Sequence, residues 1–326
     1  MSIPRAIPIT HSEIRKIYDL PLLTLLFEAQ SMHRRYHNPE RVQLSTLLSI
    51  KTGRCPEDCK YCPQSAHHES ALKIEPLMEP ARIVQAAREA KDSGATRFCM
   101  GAAWREVPDG PSFDTVLRAV SGVAELGGLE VCCTLGMMRQ DQAERLREAG
   151  CDYYNHNLDT SREHYPEIIT TRTYDDRLAT LGAARKAGLK LCCGGIIGMG
   201  ESVDDRLGLL WELSQLDPAP ESVPINAYVA VPGTPLADQS LGDPLEFVRI
   251  VATARLVLPR AEIRLSAGRA TMSDEAQALC FLAGANSIFF GDKLLTTPNA
   301  AMAADQSLLQ RLGLKPLEAV ELERSF

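Results

Sequence analysis

Apolar positions follow two alternating periods along the chain. Helical stripes such as Phe113, Val116, Leu117, Val120, Val123 and Ala124, or Leu207, Leu210 and Trp211, give way to short apolar runs without the helical gaps. The junction recurs as AKDSGATRFCM, AELGGLEVCC, REAGCDYYNH, RKAGLKLCC and LAGANSIFF, with Gly94, Gly127, Gly150, Gly188 and Gly284 closing the helix. Glycine accepts the left-handed conformation that ends helices, so each phrase reads as part of a βα repeat.

Eight strands are expected, near residues 45–51, 96–101, 130–135, 153–158, 190–197, 222–229, 262–267 and 286–290. Near-continuous apolar strands alternating with helices imply a parallel sheet covered by helices. Eight units in 326 residues fit an α/β fold of the closed (β/α)8 TIM type better than an open doubly wound sheet. Residues 1–42 read as an N-terminal helical extension, with Asp19 and Pro21 placed to start a helix through Leu22 to Ala29. Residues 43–326 read as the barrel, and no linker divides the chain.

The formal charge of −7 speaks against a nucleic-acid partner, and no apolar run has the length of a membrane span. The longest candidate, Val248 to Leu258, is interrupted by Arg249 and Arg255 and reads as an amphipathic helix. The N-terminus lacks the pattern of a secretory signal, and ten cysteines without regular pairing suggest a reducing compartment, hence the cytoplasm.

Cys55-x-x-x-Cys59-x-x-Cys62 is the densest chemistry in the sequence, a spacing that composition alone would give in roughly one such chain per hundred. Thiolates select zinc, copper(I) or iron-sulfur clusters. A zinc site would want His67 or His68, whose distance from Cys62 fits no common zinc spacing. Three thiolates on a four-iron cubane leave one iron open to a ligand. Pro56 and Pro63 fix φ beside the first and third cysteines and favour a loop.

In a barrel of this type the chemistry gathers at the C-terminal ends of the strands, where this loop lies after the first strand. Cys99, Cys132 or Cys133, and Cys192 or Cys193 lie on the second, third and fifth strands and form a second thiolate set. Adjacent cysteines point to opposite faces, and the alternation does not choose between them. Asn155, Asn157 and Asp159 alternate along the fourth strand, with His156 and Leu158 on the other face. A polar row inside a barrel asks for a ligand. Gly194, Gly195, Gly198 and Gly200 fail the dinucleotide fingerprint, because Val203 stands where its third glycine belongs.

The three-cysteine motif resembles that of the radical S-adenosylmethionine enzymes. Seven further segments extend the likeness over nearly the whole chain: RFCMGAAWR, YYNHNLDTS, IITTRTYDDRL, GGIIGMGES, SVPINAYV, IRLSAGR and ANSIFFGDKLLTTPN. Within the superfamily they resemble the biotin synthase family. That resemblance implies a (β/α)8 barrel, a 4Fe-4S cluster on Cys55, Cys59 and Cys62, and a 2Fe-2S cluster on Cys99, Cys132, Cys192 and Arg264. Cys133 and Cys193 would then face the helices, Cys280 would be buried as well, and Cys151 would begin the fourth strand.

The resemblance also implies S-adenosylmethionine bound by Tyr61, Asn157, Asp159, Arg177 and Ile196, with Asp159 on the ribose, Arg177 near the carboxylate and the adenine against the bare backbone of Gly194 to Glu201. The second substrate, dethiobiotin, would face Asn155, Asn157, Asn226, Thr296 and Thr297. The implied activity is sulfur insertion between two unactivated carbons, a radical reaction without acid-base residues, its sulfur coming from the 2Fe-2S cluster. An electron donor such as flavodoxin or ferredoxin, the iron-sulfur assembly machinery and a homodimer come with it. Trp104 and His156 take no role in this reading. Its rivals are a rearranging or cyclising radical enzyme with one cluster, and a non-catalytic metal-binding protein.

Overall fold

The computed structural model describes residues 9–319. Its sheet contains β1 (Arg41–Lys51), β2 (Arg97–Ala102), β3 (Glu130–Thr134), β4 (Tyr153–Asn155), β5 (Lys190–Cys192), β6 (Gly195–Ile197), β7 (Ser222–Ala227), β8 (Glu262–Leu265), β9 (Ser287–Phe289) and β10 (Lys315–Pro316). Neighbours pair in parallel in chain order, and β9 returns to β1 through Gln43↔Ser287 and Ser45↔Phe289, which closes the barrel. The predicted (β/α)8 architecture is thus borne out.

Two departures from the predicted strands have physical causes. The fifth stave is broken: β5 meets β7 only at Cys192↔Ser222, and β6 pairs with β7 from Gly195↔Ile225 onward. A Cβ on Gly194 would stand 1.9 Å from the Pro224 carbonyl oxygen, so the two backbones touch where the stave breaks. The first strand starts at Arg41, before the predicted 45, because its first residues pair with β10.

All five glycines of the repeated phrase have positive φ and follow their helices as expected. In the helix Pro111–Ala124, Phe113, Val116, Val120 and Val123 are fully buried. In Val203–Gln215, Leu207 and Leu210 are buried, but Trp211 is turned outward.

The N-terminal extension forms two helices, His11–Tyr18 and Leu22–Tyr36. Pro21 is the N-cap of the second as its φ favours, whereas Asp19 closes the first helix rather than opening the second. Both pack on the helix Pro244–Val257. That helix was expected to be amphipathic and is instead buried on nearly every side, Arg255 included. The Arg255 guanidinium donates to the carbonyls of Pro259, Ala261 and Gly284, which gather at two helix ends and supply the negative partial charge it needs. Among the described residues no helix is long and apolar enough to cross a membrane.

Candidate active site

A cavity of about 320 Å³ opens at the C-terminal ends of the strands and is lined by every residue singled out from the sequence as a ligand or contact, from Cys55 to Thr297. At its mouth, the loop after β1 brings Cys55, Cys59 and Cys62 together on that lining. Cys55 pairs with the loop's own end, its N–H donating to Gln64 O at 2.8 Å and its carbonyl accepting from Ala66 at 2.7 Å.

The loop is fastened to the segment 168–172 across the mouth. Burial pushes the Asp58 carboxyl up, but bonds from the Thr170 hydroxyl and N–H, the latter at 2.9 Å, and from the Thr171 hydroxyl and N–H, at 3.0 and 3.2 Å, outweigh it and hold the carboxyl down at about 2. The Thr171 hydroxyl donates to Glu57, and the Lys60 N–H to Ile168 O at 3.1 Å. His67 and His68 are fasteners too, their Nε2 atoms 3.1 Å from Pro56 O and 2.9 Å from Cys59 O.

Burial pushes the thiols of Cys59 and Cys62 up to about 11 and about 12. Left bare they would stay protonated, and binding to iron is what would ionise them. Among the described residues no three His, Cys, Asp or Glu groups converge on one point as a single ion would require. Three thiol groups from one loop on one cavity wall are the donor set that an iron-sulfur cluster takes.

Deeper in the bore, Cys99, Cys132 and Cys192 form a compact group with Tyr153, separate from the main core. The register places Cys99 opposite Cys132, and Asn155 opposite Cys192. The neighbouring thiols, Cys192 before Cys99, and then burial push the Cys132 thiol well up. The Cys132 thiol, then the charges of Arg264 and Arg97, push Cys192 well below the usual thiol range against the opposing effect of burial. Arg264 Nη1 stands 3.6 Å from Cys192 Sγ, and Asn155 Nδ2 stands 3.2 Å from it. Cys133, Cys193 and Cys280 lie in the layer between sheet and helices, as does Cys151, which precedes β4 rather than beginning it.

Arg264 is fully buried, yet among the described residues it has no carboxylate at ion-pair distance. A buried guanidinium facing three thiols is the charge complement of an anionic, thiolate-held group. The trio and Arg264 therefore fit an iron-sulfur cluster.

A buried ion pair lines the same cavity. Asp159, held at φ 68°, accepts from Tyr61 OH at 2.7 Å and from Arg177 through the same oxygen. Arg177 spends its remaining donors on Asn157 O at 2.6 Å and Tyr165 OH at 2.8 Å. Asn157 Oδ1 in turn accepts from the Gly194 N–H at 3.1 Å. Asn226 is held through Gly195 O at 3.0 Å, leaving its side chain on the cavity wall.

The glycine pattern is explained by the backbone. Gly195 approaches the Asp159 carbonyl, and Glu201 closes the following turn by accepting from Gly198 and Met199 at 2.9 and 2.7 Å. His156 does not take the face opposite the polar row, because β4 ends at Asn155. It lines the cavity, and its buried Nε2 has no hydrogen-bond partner, so it is not a satisfied core histidine. Trp104 lies on the same wall.

Sequence reasoning missed Arg172, which shares the segment IITTRTYDDRL with Arg177 and reaches Cys59 Sγ at 3.9 Å. It also missed the buried floor of Arg97, Glu130, Glu262 and Gln43; the three charged residues stand first on β2, β3 and β8, a signal that Gln43 does not share.

The Radical SAM superfamily profile matches residues 49–210, and the Biotin and Thiamin Synthesis associated domain matches residues 224–315. Biotin synthase of Gloeobacter violaceus is 59% identical over 309 residues, covering 95% of this chain and 97% of that protein. That of Acidiphilium cryptum is 61% identical over 304 residues, covering 93% of each. The crystal structure of methylornithine synthase superposes with a TM-score of 0.81 over 98% of both chains at 20% identity, a likeness of fold alone. With that identity spanning the loop cysteines, the bore cysteines and the barrel between them, the chain belongs to the biotin synthase family of radical S-adenosylmethionine enzymes.

Proposed function

We propose that this chain converts dethiobiotin to biotin, with a 4Fe-4S cluster on Cys55, Cys59 and Cys62 and a 2Fe-2S cluster on Cys99, Cys132, Cys192 and Arg264. The observation that carries this reading is the pairing of two cysteine sets in one cavity, the inner one beside a buried arginine that has no carboxylate at ion-pair distance among the described residues. When bound, the outer cluster supplies the electron that cleaves S-adenosylmethionine to a 5'-deoxyadenosyl radical, and the inner one supplies the sulfur.

The residues' task is placement. Asp159 keeps one carboxylate oxygen on Tyr61 and Arg177, and its other oxygen serves the ribose of S-adenosylmethionine. Asn157, Arg177 and Ile196 complete that pocket, the Arg177 charge lying near the methionyl carboxylate. Asn155, Asn157, Asn226, Thr296 and Thr297 supply the neutral polar groups that a ureido ring and a carboxylate need. Asn155, also 3.2 Å from Cys192, keeps the substrate carbons close to the sulfur source. Unactivated carbons have no acidic proton, so no residue acts as acid or base on them.

Residues 9–40 act as a helical addition to a single barrel that begins with β1 at Arg41, so the expected boundary at 42 moves to 40, and residues 1–8 and 320–326 of the expected units lie outside the described residues. We further expect a cytoplasmic homodimer that draws electrons from flavodoxin or ferredoxin and clusters from the iron-sulfur assembly machinery. Anaerobic reconstitution with iron and sulfide, then dithionite, S-adenosylmethionine and dethiobiotin, is the test. Biotin and 5'-deoxyadenosine are expected together. 5'-Deoxyadenosine without biotin would favour a one-cluster radical enzyme, and neither product would overturn the reading altogether.

A further inference from the structure

Beneath the cysteine trio the bore is floored by buried charges that are kept apart. Arg97, fully buried and 3.8 Å from the centre of the Tyr153 ring, donates to Glu130 Oε2 at 3.0 and 2.7 Å, to Glu262 Oε2 at 2.8 Å and to Ser222 Oγ at 3.0 Å. Both carboxylates of the floor are thereby drawn to Arg97.

Arg264 is equally buried, and among the described residues its guanidinium donates to Ser287 Oγ at 3.0 Å, Gln43 Oε1 at 3.4 Å and Cys192 Sγ at 3.6 Å and lies 5.0 Å from the centre of the Phe289 ring. Gln43, 1% exposed on β1, sits between the two groups. Its Nε2 donates to Glu130 Oε2 at 2.9 Å, while its Oε1 accepts from Arg264 and, at 3.2 Å, from Ser287. The amide offers a donor toward the anion and, on a separate atom, an acceptor toward the cation, and it does so without charge. A carboxylate at this position would pair with Arg264 directly, and in a dry interior such a pair would hold the guanidinium away from the thiols.

We propose that Gln43 is a positioning residue that insulates Arg264 from the anionic floor, so that its charge faces the inner cluster. The inference rests on the assignment of that cluster to Cys99, Cys132, Cys192 and Arg264. The decisive variant is the exchange Gln43→Glu with Glu130→Gln. It keeps the total charge and the amide-to-carboxylate hydrogen bond, and it moves the negative charge onto Arg264.

The readout is the midpoint potential of the inner cluster, followed by visible absorption during an anaerobic redox titration. Outer-cluster content serves as the folding control. The exchange should shift the inner potential to lower values, because the cation beside the cluster is neutralised. Gln43→Met, which frees Arg264 to lean toward Glu130 without added charge, should shift it in the same direction by less, and it decides the matter if the exchange variant does not fold. A wild-type potential in a folded variant overturns the inference. Iron and sulfide for only one centre in the wild-type protein overturns the cluster assignment instead.

Discussion

Cys132 and Cys133 are consecutive on β3 yet belong to different compartments: Cys132 groups with Cys99 and Cys192 in the bore, and Cys133 lies with Cys151 in the main core. Cys132→Ala should therefore remove the inner cluster's visible absorption and about a third of the protein's acid-labile sulfide, the share that a 2Fe-2S cluster holds beside a 4Fe-4S cluster, while Cys133→Ala retains both. The Cys133 variant should lose only about 1 kcal/mol of stability, from packing. Equal cluster content in the two variants would contradict the assignment.

The outer and inner sets should separate in function as they do in space. Cys59→Ala should abolish cleavage of S-adenosylmethionine, because it removes a buried ligand at the mouth. Cys192→Ala should leave measurable 5'-deoxyadenosine and stop biotin formation. Chromatographic assay of both products checks this, and biotin made by either variant at the wild-type rate would refute it.

Asp159 and Arg177 are 2% and 3% exposed and neutralise one another. Asp159→Asn leaves the guanidinium buried without its counter-charge and should cost about 3 kcal/mol of stability, with at least about a tenfold loss of S-adenosylmethionine affinity. Adding Arg177→Met should restore much of the stability, because the orphaned charge is gone, but none of the binding. Denaturant unfolding and equilibrium dialysis on the reconstituted protein separate the two effects.

The barrel was legible because helix-closing glycines and apolar strands repeat locally, and local signals survive in one sequence. What escaped depends on partners distant along the chain. Whether Cys132 or Cys133 enters the bore follows from the phase of β3, which alternation leaves open. The break between Cys192 and Gly195 comes from Pro224 on the neighbouring stave, so 190–197 looks continuous on its own. His156 joins the cavity only because β4 stops one residue earlier. Arg97 carries no signal of its own, and Arg255 reads as a polar position of an amphipathic helix, until Glu130, Glu262 and the carbonyls of two helix ends are brought around them.

The stave break gives a stability prediction with its own control. Gly194→Ala would place a methyl 1.9 Å from the Pro224 carbonyl oxygen, backbone that cannot rotate away, and should cost at least about 3 kcal/mol or prevent folding. Gly182→Ala, in the helix Tyr174–Lys186 with nothing within 4 Å of the added carbon, should instead be neutral or stabilise by up to about 1 kcal/mol. Thermal unfolding of the two variants beside wild type checks the contrast, and similar midpoints would show that the contact relaxes.

Two histidines couple the N-terminal helices to pH. His33 and His37 stack at 5.3 Å beside Arg255, and burial first, then the Arg255 charge, lowers them to about 3 and about 4. The unfolded chain takes up these protons near pH 6.5, and the folded chain refuses them until the pH is far lower. Unfolding therefore binds protons between those limits, so stability falls as pH drops below about 6.5 and is level above it on this account. The slope approaches about 1.4 kcal/mol per pH unit for each histidine. His33 Nδ1 has no hydrogen-bond partner, so His33→Leu removes one proton from the balance without breaking a bond at that atom. Urea unfolding of wild type and variant at pH 7, 6 and 5 should show the variant overtaking wild type as pH falls, the difference growing by about one proton. Parallel curves would mean that His33 titrates alike in both states and that its burial is not what the fold maintains.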